Sequence, residues 1–148
     1  MKTTDFNFKN PKTILYISIL LVVLFFIAKY AIKQFQKTTN DKLLDNVEND
    51  IKNNDLSYAD SEYSIMADQL ETSMRGVGTD VTLLKTVFNR LRTKSDWLKL
   101  VAVFGVRPFG NWFYTHEGTL INWIEDEYFK DSTKAELNGI LSKINVQI

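Results

Sequence analysis

From Ile14 to Ala28 the chain reads ILYISILLVVLFFIA without a single charge, and no other feature restricts the fold so severely. Extended to Thr13 and Ile32, the run is about 20 residues, or roughly 30 Å of helix, the thickness of a bilayer's hydrocarbon core. Twelve of its Ile, Leu, Val and Phe side chains each favour insertion by roughly 0.3 to 0.6 kcal/mol, about 4 to 7 kcal/mol together. Lys29 opposes this weakly, because its stem lets the ammonium reach the interface. Asn10 and Pro11 are a good helix start, a cap followed by a pre-set first turn. No small-x-small cleavage site follows Ala28, where Lys29, Tyr30 and Ala31 stand, so an uncleaved anchor is expected rather than a signal peptide.

That anchor sets the division of the 148 residues: an N-terminal tail at 1–12, a transmembrane helix at 13–33, an acidic and partly helical connector at 34–57, and one compact domain at 58–148. Lys2, Lys9 and Lys12 precede the span and Lys29, Lys33, Lys37 and Lys42 follow it, which leaves the positive-inside rule little asymmetry to read. With no cysteine, disulfides, thiol nucleophiles and Cys-based metal sites are excluded.

Net charge is balanced but segregated. Residues 41–71 carry nine acids against Lys42 and Lys52, whereas 75–107 carry Arg75, Lys85, Arg90, Arg92, Lys94, Lys99 and Arg107 against Asp80 and Asp96. The basic stretch suits either a solvated helical surface or contact with lipid phosphates or an acidic partner. In the connector Leu43, Leu44, Val47 and Ile51 recur at helical spacing. This predicts a narrow amphipathic helix that can continue the anchor and that packs on the C-terminal domain or meets another copy.

Beyond Tyr58 the helical signals repeat at short intervals. A face of Tyr63, Met66, Ala67, Leu70 and Met74 ends at Gly76-Val77-Gly78. Thr79 or Asp80 is placed to cap a helix carrying Leu84, Val87, Phe88 and Leu91, and Ser95 to cap one carrying Trp97, Leu98, Val101, Ala102 and Phe104. Gly105 to Gly118, with Pro108 and several aromatics, reads as an ordered loop. Thr119 opens a helix with Leu120, Ile121, Ile124 and Tyr128, and Thr133 with Glu136 forms a capping box ahead of Leu137, Ile140, Leu141 and Ile144. The expected fold class is all-α: an N-terminal transmembrane helix and a compact bundle of about five helices.

The stretch Ala67 to Asp80, ADQLETSMRGVGTD, resembles the opening of an annexin repeat, in which a helix ends in a Met-Lys-Gly-x-Gly-Thr-Asp turn. The similarity runs over about residues 63–146, through a Phe-Gly pair at Phe109-Gly110 and the acids Glu125, Asp126 and Glu127. There is one repeat, and its segment between the third and fourth helices is longer than the family's. The resemblance implies a calcium site with carbonyl donors from Met74, Gly76 and Gly78 and a carboxylate from Glu127, bridging to lipid phosphate. The residues themselves also fit a plain helix stop at the two glycines with a solvated acidic face.

Enzyme chemistry finds little footing. Gly76-Val77-Gly78 follows a helix and lacks the spacing of a phosphate loop, and His116, the single histidine, has no second imidazole or evident nucleophile beside it. Phe109, Trp112, Phe113 and Tyr114, with Arg90 and Arg92, are the candidate interaction surface, against the alternative that the aromatics pack beneath their own loop. The expectation is a non-enzymatic tether or scaffold of single-pass topology in a bacterial envelope. Its partners would be the lipid bilayer, a protein partner or shell, and a second copy in a homo-oligomer, with no nucleic acid and no cofactor unless calcium. The alternatives are a minor membrane protein of a lipid-containing phage virion, linking its internal membrane to the capsid, and a calcium-dependent phospholipid-binding module.

Overall fold

The computed structural model describes residues 11–111, 114–127 and 129–148, and the chain divides into two compact units between Thr39 and Asn40. One helix, α1 (Pro11–Asp50), runs unbroken from the first unit into the second. In the first unit its large apolar side chains point outward on all sides: Leu15, Leu20, Leu24, Phe26 and Ile27 are all exposed. Among the described residues it is the one helix long and apolar enough to cross a membrane, and none of its most apolar stretch is buried within the chain. A helix apolar all round needs an apolar medium around it, since no stripe is set aside for a core.

The second unit is built from the last turns of α1 and five further helices: α2 (Asp60–Met74), α3 (Val81–Arg90), α4 (Lys94–Phe104), α5 (Leu120–Asp126) and α6 (Asp131–Leu141). Tyr63, Met66 and Leu70 of α2 meet Leu84, Val87 and Phe88 of α3, Leu100, Val101 and Phe104 of α4, Leu120 of α5, and Leu137 and Leu141 of α6 in one core. Each such side chain contributes about 1.5 to 3 kcal/mol when fully buried. The connector's stripe joins them, because Leu43, Leu44 and Val47 are half-buried against this core. Its apolar face is thus taken by its own domain. The break after α1 is a short 3-10 turn at Asn53–Asp55.

Three local expectations are corrected. The cap of α4 is Thr93 and not Ser95: the Thr93 hydroxyl accepts from Asp96 N–H at 3.0 Å while Asp96 Oδ2 accepts from Thr93 N–H at 3.1 Å. Ser95 is the second residue of the helix, buried, accepting from Lys52 N–H. The Thr133–Glu136 box does not form, since α6 starts at Asp131 without a side-chain cap and Glu136 reaches across to pair with Lys85 of α3. An acid in the first turn already complements the helix dipole there.

The third correction concerns Gly105–Gly118. The interval holds an antiparallel hairpin, β1 (Arg107–Asn111) and β2 (Tyr114–Gly118), with Arg107 opposite Gly118, Phe109 opposite His116 and Asn111 opposite Tyr114. Pro108 fits because both strands of a two-stranded sheet are edges. Elsewhere the anticipated caps hold: Asp80 Oδ1 accepts from Leu83 N–H at 3.0 Å, and Thr119 donates both its N–H and its hydroxyl to Asn122 Oδ1.

Candidate functional site

The glycine turn leaves α2 at Met74, passes Arg75, and bends through Gly76 at φ 107° and Gly78 at φ 83°. Both angles lie where a side chain is disfavoured. Asp80 N–H donates back to the Ser73 carbonyl at 2.8 Å and closes the turn. Val77, between the glycines, is fully exposed. From the far end of α5, Glu127 Oε2 accepts a hydrogen bond from the Thr79 hydroxyl. Glu127 thus shares a corner of the domain with Thr79, the residue after Gly78. One carboxylate with backbone carbonyls is a hard-oxygen set of the kind calcium takes; no cluster of three or more His, Asp or Glu positioned for a metal occurs among the described residues.

Thr79 is the member of this corner that sequence reasoning treated only as a cap. Its link to Glu127 spans 48 positions, and no local pattern announces such a pairing.

Arg90 and Arg92 come together around one ring. Their guanidinium carbons lie 5.4 and 5.5 Å from the Tyr58 centroid, and the Tyr58 hydroxyl donates to the Arg90 carbonyl at 2.7 Å. Arg90 also pairs with Glu62 at 2.6 Å, whereas Arg92 is exposed. The Arg90 end of the anticipated basic surface is thus partly neutralised by α2.

Phe109 sits apart from them. Its ring packs 5.6 Å from Trp123 and 5.7 Å from His116, against the main core, as the packed-loop alternative requires. Tyr114 begins β2; Trp112 and Phe113 lie outside the described residues. Arg107 moors the hairpin: its Nε donates to the Phe104 carbonyl at 2.9 Å and its guanidinium pairs with Asp68, at 2.9 Å, and Glu71. Glu71 also pairs with Arg75 at the mouth of the glycine turn. Burial raises the Glu71 carboxyl, but hydrogen bonds and charge from Arg75 and Arg107 outweigh it and hold the group below the ordinary carboxylate range.

Beneath these surfaces lies a fully buried acid, Asp96. Oδ1 accepts from Ser57 N–H at 2.8 Å and from the Tyr63 hydroxyl, and Oδ2 from Arg92 and Thr93 N–H. Burial alone would raise its carboxyl, yet the donors from Tyr63, Ser57 and Arg92 prevail and the group stays ionised below its usual value. Burial and the Asp96 charge push the Tyr63 phenol well above its ordinary value, so it remains a donor.

The chain matches no protein-family model, no curated protein and no solved structure.

Proposed function

We propose that this protein is a non-enzymatic, single-pass membrane tether: the first part of α1 is the anchor, and the helical domain docks a protein or lipid surface. The observation that carries the reading is the exposure, on all sides of the helix, of Ile14, Leu15, Ile19 to Ile27 and Ile32, which in water would forfeit most of their transfer free energy. The exposed Val77 beside Arg75, and Arg92 over Tyr58, are the features of the domain suited to contact with another surface. The function is positioning, with the anchor supplying location and the domain supplying specificity. Membranes from cells making the full chain, washed in carbonate and in high salt, should retain it in the pellet; release into the supernatant would sink the reading.

A second reading, a calcium-dependent phospholipid contact at the glycine turn, draws support from the Glu127 carboxylate reaching Thr79 and from the turn's resemblance to an annexin repeat. Thermal melting of the full chain in detergent, in calcium and in chelator, tests it. A higher midpoint in calcium that disappears in Glu127→Gln supports the site, and equal midpoints discard it.

A further inference from the structure

Lys29, Lys33 and Lys37 stand at successive four-residue steps in α1. At about 100° per residue they fall within an arc of about 80°, one above the next. Asp41 continues the same ridge one turn beyond Lys37, so the three cations precede the connector's acids along the helix. Ala28, Ala31 and Phe35 lie on the opposite side and Ile32 flanks it, continuing the apolar surface, with Ile32 and Phe35 both exposed. The helix thus leaves its uniformly apolar section with one cationic edge and one apolar edge.

We propose that Lys29, Lys33 and Lys37 form a docking stripe for the anionic phospholipid headgroups of the bilayer that α1 enters; the inference rests on the anchor reading. Two contacts set the depth. Lys29 Nζ lies 5.3 Å from the Phe25 ring centroid, which places that cation at the last apolar turn. One residue on, the Tyr30 hydroxyl accepts from Gln34 Nε2 at 3.0 Å, an amphipathic ring with its polar end paired on the next turn, as interfacial tyrosines are used. Lys12 to Lys33 covers about 30 Å of helix, a full hydrocarbon core. Lys29 then lies one turn below the headgroups and Lys37 one turn above Lys33. A tilted helix satisfies both edges at once, keeping Ile32 and Phe35 toward acyl chains while the lysine edge faces phosphate. Phosphate is the occupant because Lys33 and Lys37 stand at and just above headgroup level and the Lys29 stem is long enough to reach it from one turn below, and each lysine held near an anionic surface is worth roughly a five-fold change in association.

The test uses the full chain reconstituted in phosphatidylcholine vesicles with a minor fraction of phosphatidylglycerol, reading the relative motional restriction of spin-labelled phosphatidylglycerol and phosphatidylcholine. The natural chain should favour the anionic label several-fold, and high salt should reduce the preference. Lys29→Gln/Lys33→Gln/Lys37→Gln should bring the labels to parity, and the triple arginine variant should keep the preference. Lys130→Gln/Lys134→Gln/Lys143→Gln, which removes equal charge from the domain, should also keep it. Parity in the natural chain, or a preference that survives the triple glutamine change, overturns the stripe. A preference lost equally in the domain variant overturns it too, as an effect of net charge. Carbonate washing of the same vesicles separates the two readings: a retained chain without lipid preference loses only the stripe, whereas a released chain loses the anchor as well.

Discussion

The Tyr63 hydroxyl donates a 2.5 Å hydrogen bond to Asp96 Oδ1, 33 positions away, with both residues fully buried. Because Asp96 also receives backbone N–H groups from Ser57, Arg92 and Thr93, one side chain joins the segment before α2, α2 itself and the start of α4. Removing it leaves four donors, the buried Tyr63 hydroxyl among them, without their acceptor. Asp96→Ala should destabilise the domain by about 3 kcal/mol or more, and Tyr63→Phe, which leaves the carboxylate its three backbone donors, by about 1 to 2 kcal/mol. Denaturant melts of both variants check the order; an Asp96→Ala variant as stable as Tyr63→Phe contradicts the hub.

The same carboxylate sets an acid limit. Its folded-state value lies below that of an unfolded Asp, near about 4, so its contribution is fully present above that value and is lost as pH falls through it toward the folded value. Glu71 shifts in the same direction and adds to the loss. Melting temperature should be flat from neutral pH down to about 5 and then fall. In Asp96→Asn the acid limb should be shallower, because one of the two titrating groups is gone.

Two glycines should respond in opposite directions. A Cβ on Gly118 would come within 2.7 Å of Phe109 Cε1 and 2.8 Å of Asn122 Cβ, where hairpin, ring and α5 meet. Gly118→Ala should therefore cost about 1 to 3 kcal/mol. Gly139, within α6, has nothing within 4 Å of such an atom, and Gly139→Ala should stabilise by about 0.5 to 1 kcal/mol. Thermal melts of the pair give the sign directly.

These contacts mark the limit of what could be read from residue order. Helix faces were legible because burial repeats at helical spacing: Tyr63, Met66, Leu70 and Met74 all lie in the core. The stop at Gly76 and the caps Asp80 and Thr119 were legible because a glycine at positive φ and a short polar side chain act within a turn. Thr93 and Ser95 are both competent caps, and the choice depends on Asp96 being drawn inward by Ser57, 39 positions earlier. Glu136 left its capping box for Lys85, 51 positions away. The hairpin was hidden because Pro108 and Gly110 read locally as breakers. Its support comes from Arg107 pairing with Asp68 and Glu71 of α2, and from Trp123 Nε1 donating to the Arg107 carbonyl. At the candidate site the individual residues were legible, but not the Thr79–Glu127 link or the role of Tyr58 in gathering Arg90 and Arg92.

The Thr79–Glu127 link makes the glycine turn's role measurable. In chelator the bond ties the end of α5 to the corner below α2, so Thr79→Val and Glu127→Gln should each cost roughly 1 kcal/mol. The double variant should cost no more than the larger single effect, because the two changes remove the same contact. Additive losses would mean the side chains do not interact. Calcium then adds a second axis to the cycle. A carboxylate that coordinates must give up or share its bond to Thr79, so on the calcium reading Thr79→Val keeps the calcium-dependent rise in melting temperature while Glu127→Gln abolishes it. A site a hundred-fold saturated would stabilise by about 2.7 kcal/mol, well above the link itself. A cycle that is coupled in chelator and unchanged in calcium would leave Glu127 as a strut between two helix ends, and the domain's docking would then have to run through its exposed Val77 and Arg92 without a metal.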